Sequence, residues 1–203
     1  MDATNTAKTV LAELSLDARA GLPEDLRHLI ARYPREVWAS HGNLGEMVKF
    51  WLSRHAMFRE LGSTLDEANL HFRDGKVGAR EFAGFFAPRL QFFLQQLHAH
   101  HHVEDDHYFP ILRRADERLV RGFDILDRDH DTLAAGIESS VTAANWFLRA
   151  LDGPSEALAR AADDYVGSAA DLLRGLVRHL DDEEDLIVPL ILDRGEVALG
   201  VGH

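Results

Sequence analysis

The sequence predicts an all-α protein: an up-down-up-down four-helix bundle with an N-terminal helical extension. Three observations carry this. Apolar residues recur at three- and four-residue spacing over long stretches. No stretch alternates apolar with polar residues, and β-branched residues are sparse. The breakers fall in short clusters, and short connections force sequence neighbours to pack antiparallel. This divides the chain into an extension over 1–40, a bundle over 41–193 and a tail over 194–203.

The elements follow in order. Leu22-Pro23-Glu24-Asp25 opens a short helix running toward Ser40, interrupted at Pro34. The first long helix spans about 44–72, with Leu44, Val48, Trp51, Leu52, Phe58, Leu61 and Leu65 at helical spacing. Asp74-Gly75-Lys76-Val77-Gly78 reads as a turn. The second helix, about 80–114, carries Phe82, Phe85, Phe86, Phe93, Leu94, Leu97 and Ile111, with Pro88 and Pro110 expected to kink or shorten it. The third spans about 117–151 through Phe123, Leu126, Leu133 and Ile137. Asp152-Gly153-Pro154-Ser155 is a loop with Ser155 as a helix N-cap candidate. The fourth spans about 156–188, and Pro189 is expected to end or bend it; the tail from Gly195 reads as loose.

Composition excludes several functions. With no cysteine among 203 residues, disulfides, thiolate-bound zinc, iron–sulfur clusters and thiol catalysis are out. A net charge of −12 argues against nucleic acid, whose phosphates need a basic face. No apolar run is long enough to span a membrane, and the first residues lack a signal peptide's pattern, so a cytoplasmic location is expected.

Twelve histidines carry the functional signal. His100, Glu104 and Pro110 repeat the order His, Glu four later, Pro six after that, and His179, Glu183 and Pro189 do so again. An isolated histidine stands on the helix before each: His55 and His130. At about 100° per residue, positions four apart share a face one turn up. The two His-x-x-x-Glu pairs can therefore point into the bundle. Counting residues from each turn at about 1.5 Å per residue puts the members of each helix pair within roughly 6 Å of one level. Four imidazoles and two carboxylates suffice for two metal ions bridged by the two Glu. Nitrogen and oxygen donors without thiolate favour Fe, Mn or Zn. The acidic run Asp181 to Asp185 would ordinarily be a solvated face, but Leu176, His179, Glu183, Leu186 and Leu190 share one stripe.

The remaining histidines sort by angle. His102 and His98 point away; His101, about 100° from His100, is a surface residue unless the helix is rotated. His107 returns to within about 20° of His100 two turns on, as an extra ligand or a partner to one. His41 lies 14 residues before His55, about 21 Å along a straight helix, and is too far. His28, His71 and His203 carry no specific signal, and Trp51 and Tyr108 read as packing.

With His55, His100, Glu104, His130, His179 and Glu183 in this order, and the Phe109-Pro110 and Val188-Pro189 endings, residues 41–193 resemble the hemerythrin-like (HHE cation-binding) family. The resemblance implies a four-helix bundle holding two Fe ions bridged by an oxo or hydroxo group. Its members bind O2, sense oxygen, iron or redox state, or react with NO or peroxide. The oxygen carriers of the family have a second histidine on the third helix, where this chain has Ala134; their final acid would select Glu184, while the internal repeat selects Glu183. One histidine fewer leaves a coordination position for water, a carboxylate or His107. The resemblance thus implies a protein that binds or reacts with a small diatomic or peroxide, and whether it turns over as an enzyme stays open. The alternatives are a sensor or regulatory module without turnover, read by a protein partner or within a homodimer, and a structural Zn or Mn bundle.

Overall fold

A computed structural model describes residues 14–202; residues 1–13 of the expected extension, and His203, lie outside the described residues. Four long helices dominate: α1 (Glu46–Arg73), α2 (Ala79–Val103), α3 (Val120–Ala150) and α4 (Ser155–Arg194). No strand occurs among the described residues, and the protein is an all-α helical bundle. Its contacts divide it into two compact units.

The first unit joins residues 14–55 with 102–131 and 177–202. Here the extension forms a 3-10 turn (Glu24–Leu26) and two short helices (His28–Arg32 and Arg35–Trp38), broken at Pro34 as expected. Leu22, Leu26, Leu29 and Trp38 are buried in a core with Trp51, Phe109, Phe123 and Ile187. The second unit joins 56–101 with 132–176. Its core is aromatic: Phe82 stacks on Phe72 and Phe86 at ring separations of 4.5 and 4.9 Å, and Phe86 meets the Tyr165 ring edge-on at 4.5 Å. The 74–78 connection turns at Gly75, whose φ of +69° suits a residue without a Cβ.

Three elements differ from the sequence reading. The fourth helix neither ends nor breaks at Pro189 but continues to Arg194. Leu186, Ile187, Val188, Leu190, Ile191 and Leu192 are all buried around that proline. Burial of a few such side chains outweighs the roughly 3 kcal/mol an interior proline costs. The second helix stops at Val103 and passes through a π-helical turn (Glu104–Tyr108) into a short helix (Phe109–Leu112). Pro110 sits at that helix's start, where its missing N–H costs nothing. The tail is not loose: Glu196–Leu199 forms a helical turn and Val201 joins the core. Glu196 accepts hydrogen bonds from the backbone N–H groups of Val48 (2.8 Å) and Met47 (3.3 Å). A carboxylate from the tail thereby caps the first turn of α1.

Candidate metal centre

The side chains that fold inward in the first unit include an unusual number of ionisable groups. His55, Glu104, His130, His179 and Glu183 are each no more than 5% exposed. Such groups are almost never left inside an apolar core without partners. α1 supplies His55, the π-helical turn supplies Glu104, α3 supplies His130, and α4 supplies both His179 and Glu183.

The imidazoles are oriented alike. Each turns Nδ1 outward to a carboxylate and Nε2 toward its neighbours. His55 Nδ1 lies 3.0 Å from Glu184 Oε1, His130 Nδ1 2.7 Å from Asp105 Oδ1, and His179 Nδ1 3.3 Å from Asp129 Oδ2. A carboxylate behind Nδ1 fixes the tautomer that frees Nε2 to bind a metal. His130 Nε2 and His179 Nε2 approach to 3.2 Å. Two nitrogens each about 2.1 Å from one ion, at angles of about 90–110°, would stand about 3.0–3.4 Å apart, so the pair fits a shared cation. Glu183 Oε2 lies 3.4 Å from His55 Nε2 and 3.5 Å from His179 Nε2. Glu104 Oε2 lies 3.7 Å from His130 Nε2, and Glu104 Oε1 accepts a 2.5 Å hydrogen bond from Trp51 Nε1.

The electrostatics match. Burial pushes Glu104 up to about 7 in the metal-free protein, against the pull of His130 and the Trp51 hydrogen bond. Burial, then the Glu104 carboxyl beside it, raises Glu183 well above the ordinary carboxylate range. Burial, with His130, His55 and Arg19 nearby, holds His179 well below the ordinary imidazole range, so it is neutral and its Nε2 lone pair is available. Two buried acids this close resist ionising together, and a cation bound between them would favour their charged forms.

Two groups place ligand atoms within 4.8 Å of one another: His55, His100, Glu104 and Glu183; and His101, His130 and His179. All six residues proposed from sequence thus fall in one or other group. His101 is the addition. It is 6% exposed, not a surface residue. A core-facing helix stripe can be 100° wide, so two adjacent residues can both face inward. With His101 the two groups hold five imidazoles, while Ala134 on α3 is exposed.

His107 is exposed instead of returning to the His100 face. The extra residue of a π-helical turn delays the phase by about one residue's rotation, about 100°, and carries His107 off that face. Glu184 is buried but stands behind His55, bonded to Arg35 at 2.6 Å. Trp51, read as packing, hydrogen-bonds Glu104. His41 precedes α1 and meets Tyr33 edge-on, away from this site. His102 is exposed and pairs with Asp106.

A helical bundle with imidazoles and carboxylates converging in its core is a metal-binding protein. The family model of the hemerythrin HHE cation binding domain matches residues 46–191, most of the 203-residue chain, and the chain belongs to that family. Comparison with curated proteins and with solved structures found no significant match. Among the described residues, no helix is long and apolar enough to cross a membrane.

Proposed function

We propose that this protein holds two iron ions between its helices and binds or reacts with O2, NO or a peroxide there. The observation that carries the reading is the position of Glu183 Oε2, nearly equidistant from His55 Nε2 and His179 Nε2. A carboxylate between imidazoles from two ligand groups suits two ions better than one. Five imidazoles and two carboxylates, with no thiolate, suit iron. Paired iron ions would supply the electrons that a bound diatomic or peroxide takes up. The chain's own part is to hold the ligands fixed, to keep His179 neutral, and to exclude water with Trp51, Phe109 and Leu126. The small ligand and a cytoplasmic setting belong to the same proposal.

The test is anaerobic reconstitution with Fe(II), followed by metal analysis and absorption spectra before and after air, with and without azide. We expect close to two irons per chain and a charge-transfer band of the oxidised protein that azide shifts. Binding of one ion or fewer, or a clear preference for zinc with no spectral response, overturns the di-iron reading.

A further inference from the structure

Residues 14–38 precede the family-matched segment, yet two of their arginines reach the carboxylates behind two of the site's imidazoles. Arg19 is 7% exposed. Its guanidinium binds both oxygens of Asp129, through NH1 at 2.7 Å and through NH2, and its Nε donates to Asp182 at 2.8 Å. Asp129 Oδ2, which Arg19 NH2 contacts, faces His179 Nδ1. Arg35 repeats the arrangement: NH1 donates to Glu184 Oε2 at 2.6 Å, while Glu184 Oε1 faces His55 Nδ1. Arg35 also donates to Asp185 Oδ1 and the Asp181 carbonyl. The third such carboxylate, Asp105 behind His130, has a side chain 43% exposed.

We propose that the N-terminal extension is a clamp on the metal centre, with Arg19 and Arg35 as positioning residues that hold His179 and His55 in ligating orientation through Asp129 and Glu184. A buried arginine is a costly way to anchor a segment that already buries Leu22, Leu26, Leu29 and Trp38. Its planar fork instead fixes a carboxylate in both position and plane. A carboxylate so fixed leaves the imidazole one orientation. Loss of such a partner costs about 10- to 100-fold in metal affinity. Coupling is reciprocal, so metal that gains from the clamp also tightens it. A partner that peels the extension away would loosen both ligands, giving residues 14–38 a means to regulate metal retention.

The inference rests on the metal-binding reading of the site, and one experiment separates the two. Wild type, Arg19→Met, Arg35→Met, Arg35→Lys and Arg32→Met are loaded with Fe(II) anaerobically, and iron release to excess 2,2′-bipyridine is timed. Arg32 pairs with Asp193, which faces none of the site's imidazoles, and is the control. We expect release at least tenfold faster in Arg19→Met and Arg35→Met, within twofold of wild type in Arg32→Met, and intermediate in Arg35→Lys, which keeps a cation near Glu184 but loses the fork. Iron is expected to slow amide exchange over 14–38 in wild type and much less in Arg35→Met. If Arg19→Met fails to fold, Arg35→Met decides, because its guanidinium is part-exposed and its loss is tolerable. Equal release from all variants, or equal acceleration in Arg32→Met, overturns the clamp alone. Wild-type protein that takes up no iron overturns the metal reading, and the clamp with it.

Discussion

Replacing Glu104 by Gln is expected to stabilise the metal-free protein at neutral and alkaline pH while weakening its hold on metal. The buried carboxyl has its pKa raised to about 7, against about 4.5 in an unfolded chain. A raised acid pKa means that the folded state keeps its proton while the unfolded state has lost it. Stability from this group is therefore full below about pH 4.5, falls as pH rises to about 7, and is flat beyond. The gap between these two values corresponds to about 3 kcal/mol. Gln is neutral throughout, keeps an oxygen to accept from Trp51 Nε1, and offers an N–H toward Glu183. For a chain of this size about 3 kcal/mol is about 6–12 °C in Tm. The assay is thermal unfolding in EDTA from pH 5 to 9. Wild type should lose Tm between pH 5 and 7.5, the variant much less, and the two curves should separate toward alkaline pH. With Fe(II) present the order should reverse, because wild type gains the binding free energy. Parallel curves in EDTA, or a variant less stable than wild type at pH 8, would refute the claim that the site pays for its buried charge until a cation neutralises it.

Further outcomes follow from the same geometry. His101→Ala should weaken iron binding at least tenfold in a competitive chelator titration, whereas His107→Ala should leave it unchanged; equal effects would contradict the phase shift at the π-helical turn. Gly45→Ala should cost about 1–2 kcal/mol in urea unfolding, since its Cβ would overlap the Glu196 carboxylate that caps α1; wild-type stability would mean that cap contributes nothing. Asp116 is held down to about 2, first by its hydrogen bonds from the Arg118 side chain and then by the Arg118 backbone N–H. It contributes stability above about pH 4 that is lost as pH falls toward 2. With Arg118 largely exposed and screened, Asp116→Asn should cost about 1–2 kcal/mol at pH 7 and little near pH 2; a pH-independent deficit would point to packing instead.

The four long helices were legible because their apolar stripes extend over many turns, and because Asp74–Gly78 and Asp152–Ser155 combine breakers that no helix interior would carry. The tail and the end of the fourth helix were not. A rule about proline concerns one hydrogen bond and one clash, while the helix from Leu186 to Leu192 is held by burial on nearly every side. The tail misleads for a related reason. Gly195, Gly200 and Gly202 suggest a frayed end, but what fixes the segment is a long-range bond from Glu196 to the start of α1, about 150 positions away, and local reading has no access to it.

At the site, legibility stopped at the residues whose role depends on another helix's phase. His55, His100, Glu104, His130, His179 and Glu183 could be chosen because the His-x-x-x-Glu pair occurs twice, and repetition of a polar pair on a buried stripe needs a cause. Sorting His101 and His107 by angle takes an unbroken 3.6-residue period for granted. That assumption fails from Glu104 onward, where the π-helical turn presents the carboxylate and turns His107 outward. The turn itself has no sequence signature in Glu104-Asp105-Asp106-His107-Tyr108. A 2.5 Å bond from Trp51 to Glu104 and the packing of Phe109 against His130 at 5.3 Å hold it from outside. The acidic run on α4 shows the same limit. Asp182, Glu183 and Glu184 are all buried, against the ordinary expectation for such a run, because each meets its own partners: Arg19 and Arg178 for Asp182, the imidazoles for Glu183, and Arg35 and His55 for Glu184. Only Glu183 is left without a cationic side chain of Lys or Arg as its partner, and that difference between adjacent acids is what marks it for a metal ion.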